Sequence, residues 1–437
     1  MRLSKIEVPF LAILIALVLP IKGHALTLSE AHARLIENDP EILRSEVTQQ
    51  IAQTRRDQAV SELFPKVTTV LSTSRNSRKQ YGEKDRYQGE DYSLIISQPL
   101  YNQPLWLEPD RRAAIIELRE AAAEEVRQKR RSELVSAYVQ WIESEVRQQL
   151  IQRRLEAVIE RYNQVEELFE KQRLSVTQLL TVENERDRVK AELARARSSA
   201  IATQSALKSL IGQDVESPLN RESLLIGQWP LDTKILSMAE PLGDLHPLVD
   251  QALAQREAAS VSLRQAETQW MPRVDARLQL RHTNIGASES ETFPVESSSA
   301  QITMTWDLYD SGAKDASLRE AELSMRDADL ALRQAERDVE RQKMAASLDI
   351  NRYREAWNAA FAEHESAKKL VTAANRSFDL GVGTVGDSLR ALERLIDAES
   401  RLTSRWLEAL LGVAQIGRVN NRLTSELIDT LSVRFIQ

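Results

Sequence analysis

Pro40 and Pro247 stand 207 residues apart, and so do Ala52 and Ala259, Gln58 and Gln265, Pro65 and Pro272, Val67 and Val274, and Leu71 and Leu278. Farther on, Leu100 and Tyr101 return as Leu308 and Tyr309 at an offset of 208. Phe169, Val176 and Leu180 return as Phe378, Val385 and Leu389 at 209. A nearly constant offset over so long a stretch marks an internal duplication. Whatever fold this chain adopts must therefore be built twice.

Each unit reads as helix, strand, loop, strand, long helix, turn, helix. Asp39 and Pro40 supply a cap and a first-turn proline. Pro65 ends that helix near Leu63, and Pro247 and Pro272 bracket its counterpart. After Pro272, Val274, Ala276, Leu278 and Leu280 alternate with Asp275, Arg277, Gln279 and Arg281. Ala300, Ile302, Met304, Trp306 and Leu308 then alternate with Gln301, Thr303, Thr305 and Asp307. Period two with one apolar face predicts half-buried strands. The first unit repeats this more weakly over Lys66–Arg75 and Asp91–Leu100, where Tyr92, Leu94 and Ile96 hold one face. Polar loops are expected at Asn76–Glu90 and Asn284–Ser298.

From Asp110 to about Lys171 the apolar spacing is 4-3-4-3-4 through Ile151, Leu155, Val158, Tyr162, Val165 and Phe169. Met325, Ala328, Leu332, Ala335 and Val339 give 3-4-3-4 in the second unit. Such seams pack as coiled coils. A helix of about 60 residues is about 90 Å long, which describes a rod. Turns at Arg173–Thr177 and Gly381–Asp387 reverse the chain, and the return helices run to about Ile211 and Ile416. The expected organisation is a leader at 1–25, a first repeat at 26–212, a linker at 213–245, a second repeat at 246–418 and a C-terminal periplasmic tail at 419–437.

The leader follows from Arg2 and Lys5, the apolar run Val8–Leu19, Pro20, and the small residues Gly23 and Ala25 around His24. That is the pattern of a secretory signal peptide cleaved after Ala25. The alternative is an uncleaved anchor, but 12 apolar residues fall short of the ~20 a span needs. Composition narrows the rest. The absence of cysteine removes disulfides, thiolate metal sites and a Cys nucleophile. Five histidines and a net charge of −7 argue against a His-based metal centre and a nucleic-acid partner.

Four strands of about ten residues match outer-membrane barrel strands, yet four cannot close a barrel. Open edges are forbidden in hydrocarbon, because unpaired backbone groups cost several kcal/mol each. The barrel must then be shared between copies: two give eight strands and a filled interior, three give twelve and a lumen. Asp275, Arg277, Gln279, Gln301, Thr303 and Asp307 would line water. Phe64, Tyr101, Trp106, Trp270, Trp306 and Tyr309 would form interfacial girdles. A soluble sheet packed on the helices explains the alternation equally well.

Several stretches are similar to the TolC-like outer-membrane efflux family. They are Leu28–Ala31, the Asp39–Pro40 pair, the strand entry Val60–Val67, Gln98–Tyr101, Trp306–Gly312, and Phe378–Leu389 with Gly381 and Gly383. They occur in family order over the whole mature chain. The resemblance implies a homotrimer, mainly α, with a long coiled-coil α-helical tunnel and a shared 12-stranded β-barrel. It implies an export duct in the outer membrane of a Gram-negative bacterium, in contact with outer-membrane lipid and without cofactor or catalysis. It further implies docking to a periplasmic adaptor and an inner-membrane RND, ABC or MFS pump, for efflux of small molecules or type I protein secretion. In relatives acidic residues on the second return helix constrict the tunnel. Asp387 matches the first, and three of them would make a cation-attracting ring, while the second position is Arg390, a departure that suggests a latch between the two. The plain alternative is that Asp387 caps the helix. Adaptor docking is carried over to Leu174, Ser175 and Val176 and to Gly383, Thr384 and Val385. Gln172 and Leu174 replace the glycines of the second turn.

Gly381–Gly386 also reads as a dinucleotide fingerprint, but a long helix precedes it where a strand is required. His32, His246, His282 and His364 have no ligand spacing. The Glu/Arg stretches Glu124–Arg131 and Glu183–Arg197 read as solvated helix faces, or else as a charged tunnel lining. Against the duct stands a periplasmic adaptor or coiled-coil scaffold, which would carry one hairpin with compact β-domains. An exported enzyme has no residue constellation in its favour.

Overall fold

The fold was obtained as a computed structural model, and the structure describes residues 26–80, 83–215, 228–240, 246–288 and 291–436. The leader expected at 1–25 lies outside the described residues. The elements are α1 (Leu28–Asn38), α2 (Pro40–Ser61), β1 (Lys66–Gln80), β2 (Glu83–Tyr101), α3 (Gln103–Glu170), α4 (Val176–Ile211), α5 (Thr233–Ala239), α6 (Pro247–Glu267), β3 (Arg273–Ser288), β4 (Glu291–Thr305), α7 (Ala313–Asp379), α8 (Val385–Val419) and α9 (Ser425–Ile436). The duplicated unit is α2-β1-β2-α3-α4 and again α6-β3-β4-α7-α8.

α3 has 68 residues and α7 has 67, each about 100 Å of continuous helix. Near the strands α3 packs between α2 and α6, and α6 also packs on α7. Past the middle, α4 takes one side of α3, while α8 packs on α7 and on α3. The expected seams are where the helices meet. Ile151, Leu155, Val158 and Val165 are buried against Val182, Val189, Leu193 and Ala196 of α4 and Val385 of α8. Ala328 and Val339 are buried on α7, with Met325, Leu332 and Ala335 half-buried on the same face. Among the described residues no helix is long and apolar enough to cross a membrane.

The main core sits halfway along the rods. Tyr138 and Trp141 of α3, Leu407 and Leu410 of α8, and Leu427, Ile428 and Leu431 of α9 meet there with α1 and α5. Asp39 is fully buried, caps α2 and holds Arg130 at 2.5 Å. Here α1 and α5 appear as helices, and so does α9, where a chain without long periodicity was expected. Their apolar residues are set by this three-dimensional junction rather than by a seam.

The sheet is antiparallel in the order β1-β2-β3-β4, with β1 and β4 as its edges. The polar segments expected as loops are strand. The ladder runs through Arg75↔Gln88 to Gln80↔Glu83, and through Asn284↔Pro294 to Ser288↔Glu291. Backbone pairing is indifferent to side-chain polarity, so the hairpins extend past their apolar band. β4 stops at Thr305, before Trp306 and Leu308. α3 begins at Gln103 and carries Pro109 inside it. A proline that close to a helix start removes one backbone bond.

Candidate functional site

Two regions carry the chemistry, the sheet at one end and the paired turns at the other. In the sheet, register sets Val67, Ile96, Leu278 and Ala300 in one row. Thr69, Leu94, Leu280 and Ser298 form the next. The apolar rows of all four strands thus share a face. No helix covers it: Ile302 is 72% exposed, and Val67, Leu71, Leu280 and Met304 are exposed too. This overturns the packed soluble sheet. Asp275↔Thr303, Arg277↔Gln301 and Gln279↔Ser299 lie together on the opposite face. Asp307, expected with them, lies beyond the end of β4. Its carboxylate is 3.6 Å from Arg273 and 3.8 Å from Lys314. Trp306 Nε1 donates to the Trp270 carbonyl at 3.0 Å, and Lys314 lies over the Trp270 ring.

At the far end the two turns have one plan. The first passes through Gln172 at φ 55° and restarts at Ser175, the N-cap of α4, in a capping box with Gln178. The second passes through Gly381 at φ 74° and restarts at Thr384, the N-cap of α8. Val382 and Gly383 both donate to the Ser377 carbonyl, at 3.0 and 2.9 Å. A Cβ on Gly383 would lie 3.0 Å from that of Ser377, so this close approach requires glycine. Gln172 adopts the left-handed region without being glycine. Leu174 packs on the cluster of Val158, Val165, Val182, Val385 and Leu389. Val176 and Val382 remain exposed. A groove of about 590 Å³ runs between the turns, lined by Leu168, Arg173, Leu174, Phe378 and Gly383 among others.

Asp387 is not the cap but the third residue of α8. Thr384 Oγ1 donates to its Oδ2 at 2.6 Å, and Arg390 Nη2 donates to its Oδ1 at 2.6 Å. The Thr384 hydroxyl and then the Arg390 guanidinium hold its carboxyl below the usual carboxylate range. Asp387 thus completes the capping box of α8 and pairs with Arg390 at once.

Behind this pair lies an ionic cluster that draws Glu185, Arg188 and Glu192 from the Glu183–Arg197 stretch, expected as a solvated face or a tunnel lining, together with Arg154 and Glu393. Arg154 of α3, 3% exposed, reaches Glu185 at 2.6 Å and Glu192 at 3.5 Å on α4, and Glu393 at 3.2 Å on α8. Arg188 bridges Glu185 and Glu393 at 2.9 and 2.8 Å. Arg154 follows Ile151 by three and precedes Val158 by four. A charge inside an apolar seam was the available signal. Nearby, Arg161 of α3 donates to Asn375 of α7 at 2.9 Å and stacks on Phe378, while Ser388 of α8 donates to the same Asn375 at 2.5 Å. Three helices are therefore tied together just behind the turns.

A sheet with one bare apolar face, two open edges and rod-length helical hairpins defines an outer-membrane export duct. The family model of outer membrane efflux proteins matches residues 32–213 and 244–416, and the chain belongs to that family. It is 21% identical to outer membrane protein TolC of Vibrio cholerae over 91% of each chain. Protein CyaE of Bordetella pertussis is 28% identical over 43% of this chain and 42% of its own length. The fold matches the Campylobacter jejuni CmeC outer membrane channel with a TM-score of 0.76, at 14% identity, over 99% and 98% of the two chains. It also matches the open state of the Neisseria gonorrhoeae MtrE outer membrane channel, with a TM-score of 0.74 at 16% identity over 91% and 90%.

Proposed function

We propose that three copies join β1 of one to β4 of the next and close a twelve-stranded barrel, continued by the helical hairpins into a periplasmic tunnel. The exposed apolar rows between two open edges carry this reading, since such a sheet is stable in lipid only when its edges are paired. The polar face with Asp275, Arg277, Gln279, Gln301 and Thr303 turns to the lumen, and the apolar face turns to lipid. The duct performs no reaction, and energy comes from an inner-membrane RND, ABC or MFS pump. A periplasmic adaptor docks on the turns at Leu174, Ser175 and Val176 and at Gly383, Thr384 and Val385. Cargo is a small molecule, metal ion or secreted protein. Asp387 and Arg390 form the narrow end. Because each aspartate is paired within its own chain, three of them make a nearly neutral ring and not a cation trap.

The experiment is native mass spectrometry of detergent-purified protein with conductance in planar bilayers. A conducting trimer is expected; a monomer that inserts no channels overturns the reading. The adaptor alternative fits poorly with two hairpins and a bare apolar sheet.

A further inference from the structure

The polar face of the sheet is not electrically balanced. Between the Arg273↔Thr305 row and the Thr283↔Val295 row it carries four bases, Lys66, Arg273, Arg277 and Arg281, and two acids, Asp91 and Asp275. Two of the bases are answered where they stand. Arg281 forks onto Asp91 across β2 and β3, and Arg273 lies 3.6 Å from Asp307, past the end of β4. Lys66 and Arg277 are exposed and make no ion pair among the described residues. The register places both in one row, Lys66↔Ser97, Ser97↔Arg277 and Arg277↔Gln301, and the row holds no acid. They stand on alternate strands, about 10 Å apart. Asp275, exposed two positions from Arg277 on β3, offsets one of the two.

On an open surface such an excess would do little, because each charge faces bulk water and salt. Inside a closed barrel the same charges face one another. Twelve strands about 4.8 Å apart and tilted about 40° close at a backbone radius of about 12 Å. Long basic side chains reach inward from that wall, so each charge comes within about one Debye length of the axis, ~10 Å at 0.1 M. Low-dielectric walls keep the field in the water between them. Three copies bring six bases and three offsetting aspartates to this belt, which leaves an excess of positive charge. The narrow end does not cancel it, since Asp387 and Arg390 pair within a chain.

We propose that Lys66 and Arg277 form a cationic belt inside the barrel that favours anions over cations, so that the duct selects solutes carrying negative charge. This rests on the reading that three copies close the barrel with the polar face inward. The test uses the assembled channel in planar bilayers, with a tenfold KCl gradient as the probe and the reversal potential as the readout. D387N/R390Q serves as the parent, because the pair at its narrow end then carries no charge. The parent should pass chloride in preference to potassium. Adding K66Q and R277Q should lower the chloride-to-potassium permeability ratio about fivefold, the effect of six charges about 12 Å from the axis screened at about 0.1 M salt. K66R with R277K should keep the parent ratio, since charge and not shape does the sorting. D275N should raise it. The difference between parent and K66Q/R277Q should shrink as the salt is raised to about 1 M, where the Debye length falls to about 3 Å. A ratio unchanged by K66Q/R277Q overturns the belt, and so does an equal fall in K66R/R277K, which would trace the effect to pore shape. A parent that prefers potassium overturns it too. A monomer that inserts no channel overturns the duct itself instead.

Discussion

Arg154 shows how far one side chain can matter in a rod. It is buried at a point where α3, α4 and α8 meet, and its charge is matched by glutamates from two of them. Removing one member of a buried ionic cluster strands the others, at a cost of about 3–5 kcal/mol. Arg154→Ala should therefore lower the melting temperature and raise leak conductance, and calorimetry beside bilayer recording would measure both. Melting like wild type would show that the cluster is solvated. The Asp387–Arg390 pair differs because it is exposed. Its carboxyl is held low, so whatever it contributes is present above the unfolded carboxylate range and lost only as pH falls through its folded value. If the pair closes the narrow end as proposed, conductance should be flat from about pH 8 to pH 5, Asp387→Ala should raise leak, and the swap Asp387→Arg with Arg390→Asp should lower it again. His32 and His246 act in the same direction with pH, but through burial of a neutral ring and not through a paired charge. Burial is the first cause that brings both down to about 4 from an ordinary 6.5. Each also accepts a hydrogen bond on a ring nitrogen, from Arg131 and from the Leu248 N–H. Between pH 6.5 and about 4 the unfolded chain binds more protons. Stability of the central core should therefore fall through that window as pH drops, and His32→Gln should flatten the slope in a pH series of thermal melts.

Elements were legible in the sequence to the degree that their causes are local or periodic. The seams through Ile151, Val158 and Val165 were readable because a heptad repeats the same contact many times. The turn at Gly381–Thr384 was readable because left-handed φ and close approach select glycine. The outer halves of the hairpins were not, since Asn76–Glu90 has the composition of a loop and pairs through its backbone alone. Amide exchange should show protection at 75–78 and 86–90 approaching that of 91–97; free exchange there would return these segments to loops. Arg154, Asn375 and Arg161 escaped because their partners come from helices far apart in sequence. Gly412 on α8 is a further case. A Cβ there would enter the ring of Tyr353 on α7, so Gly412→Ala should separate the two helices and cost about 1–3 kcal/mol, measurable by denaturant unfolding.

At the scale of the whole molecule the duplication decides the plan. Two units place four strands side by side and leave β1 and β4 without partners. The neighbouring structures share this fold, and the proposed joining of copies follows from the edges. Those raw edges also make gene dosage a sensitive variable. If a copy that can join but cannot conduct is made in equal amount with the normal one, random mixing into threes leaves only about one-eighth of the rings wholly normal. A single defective allele should then poison most of the output, a genetic signature that a protein working alone would not produce.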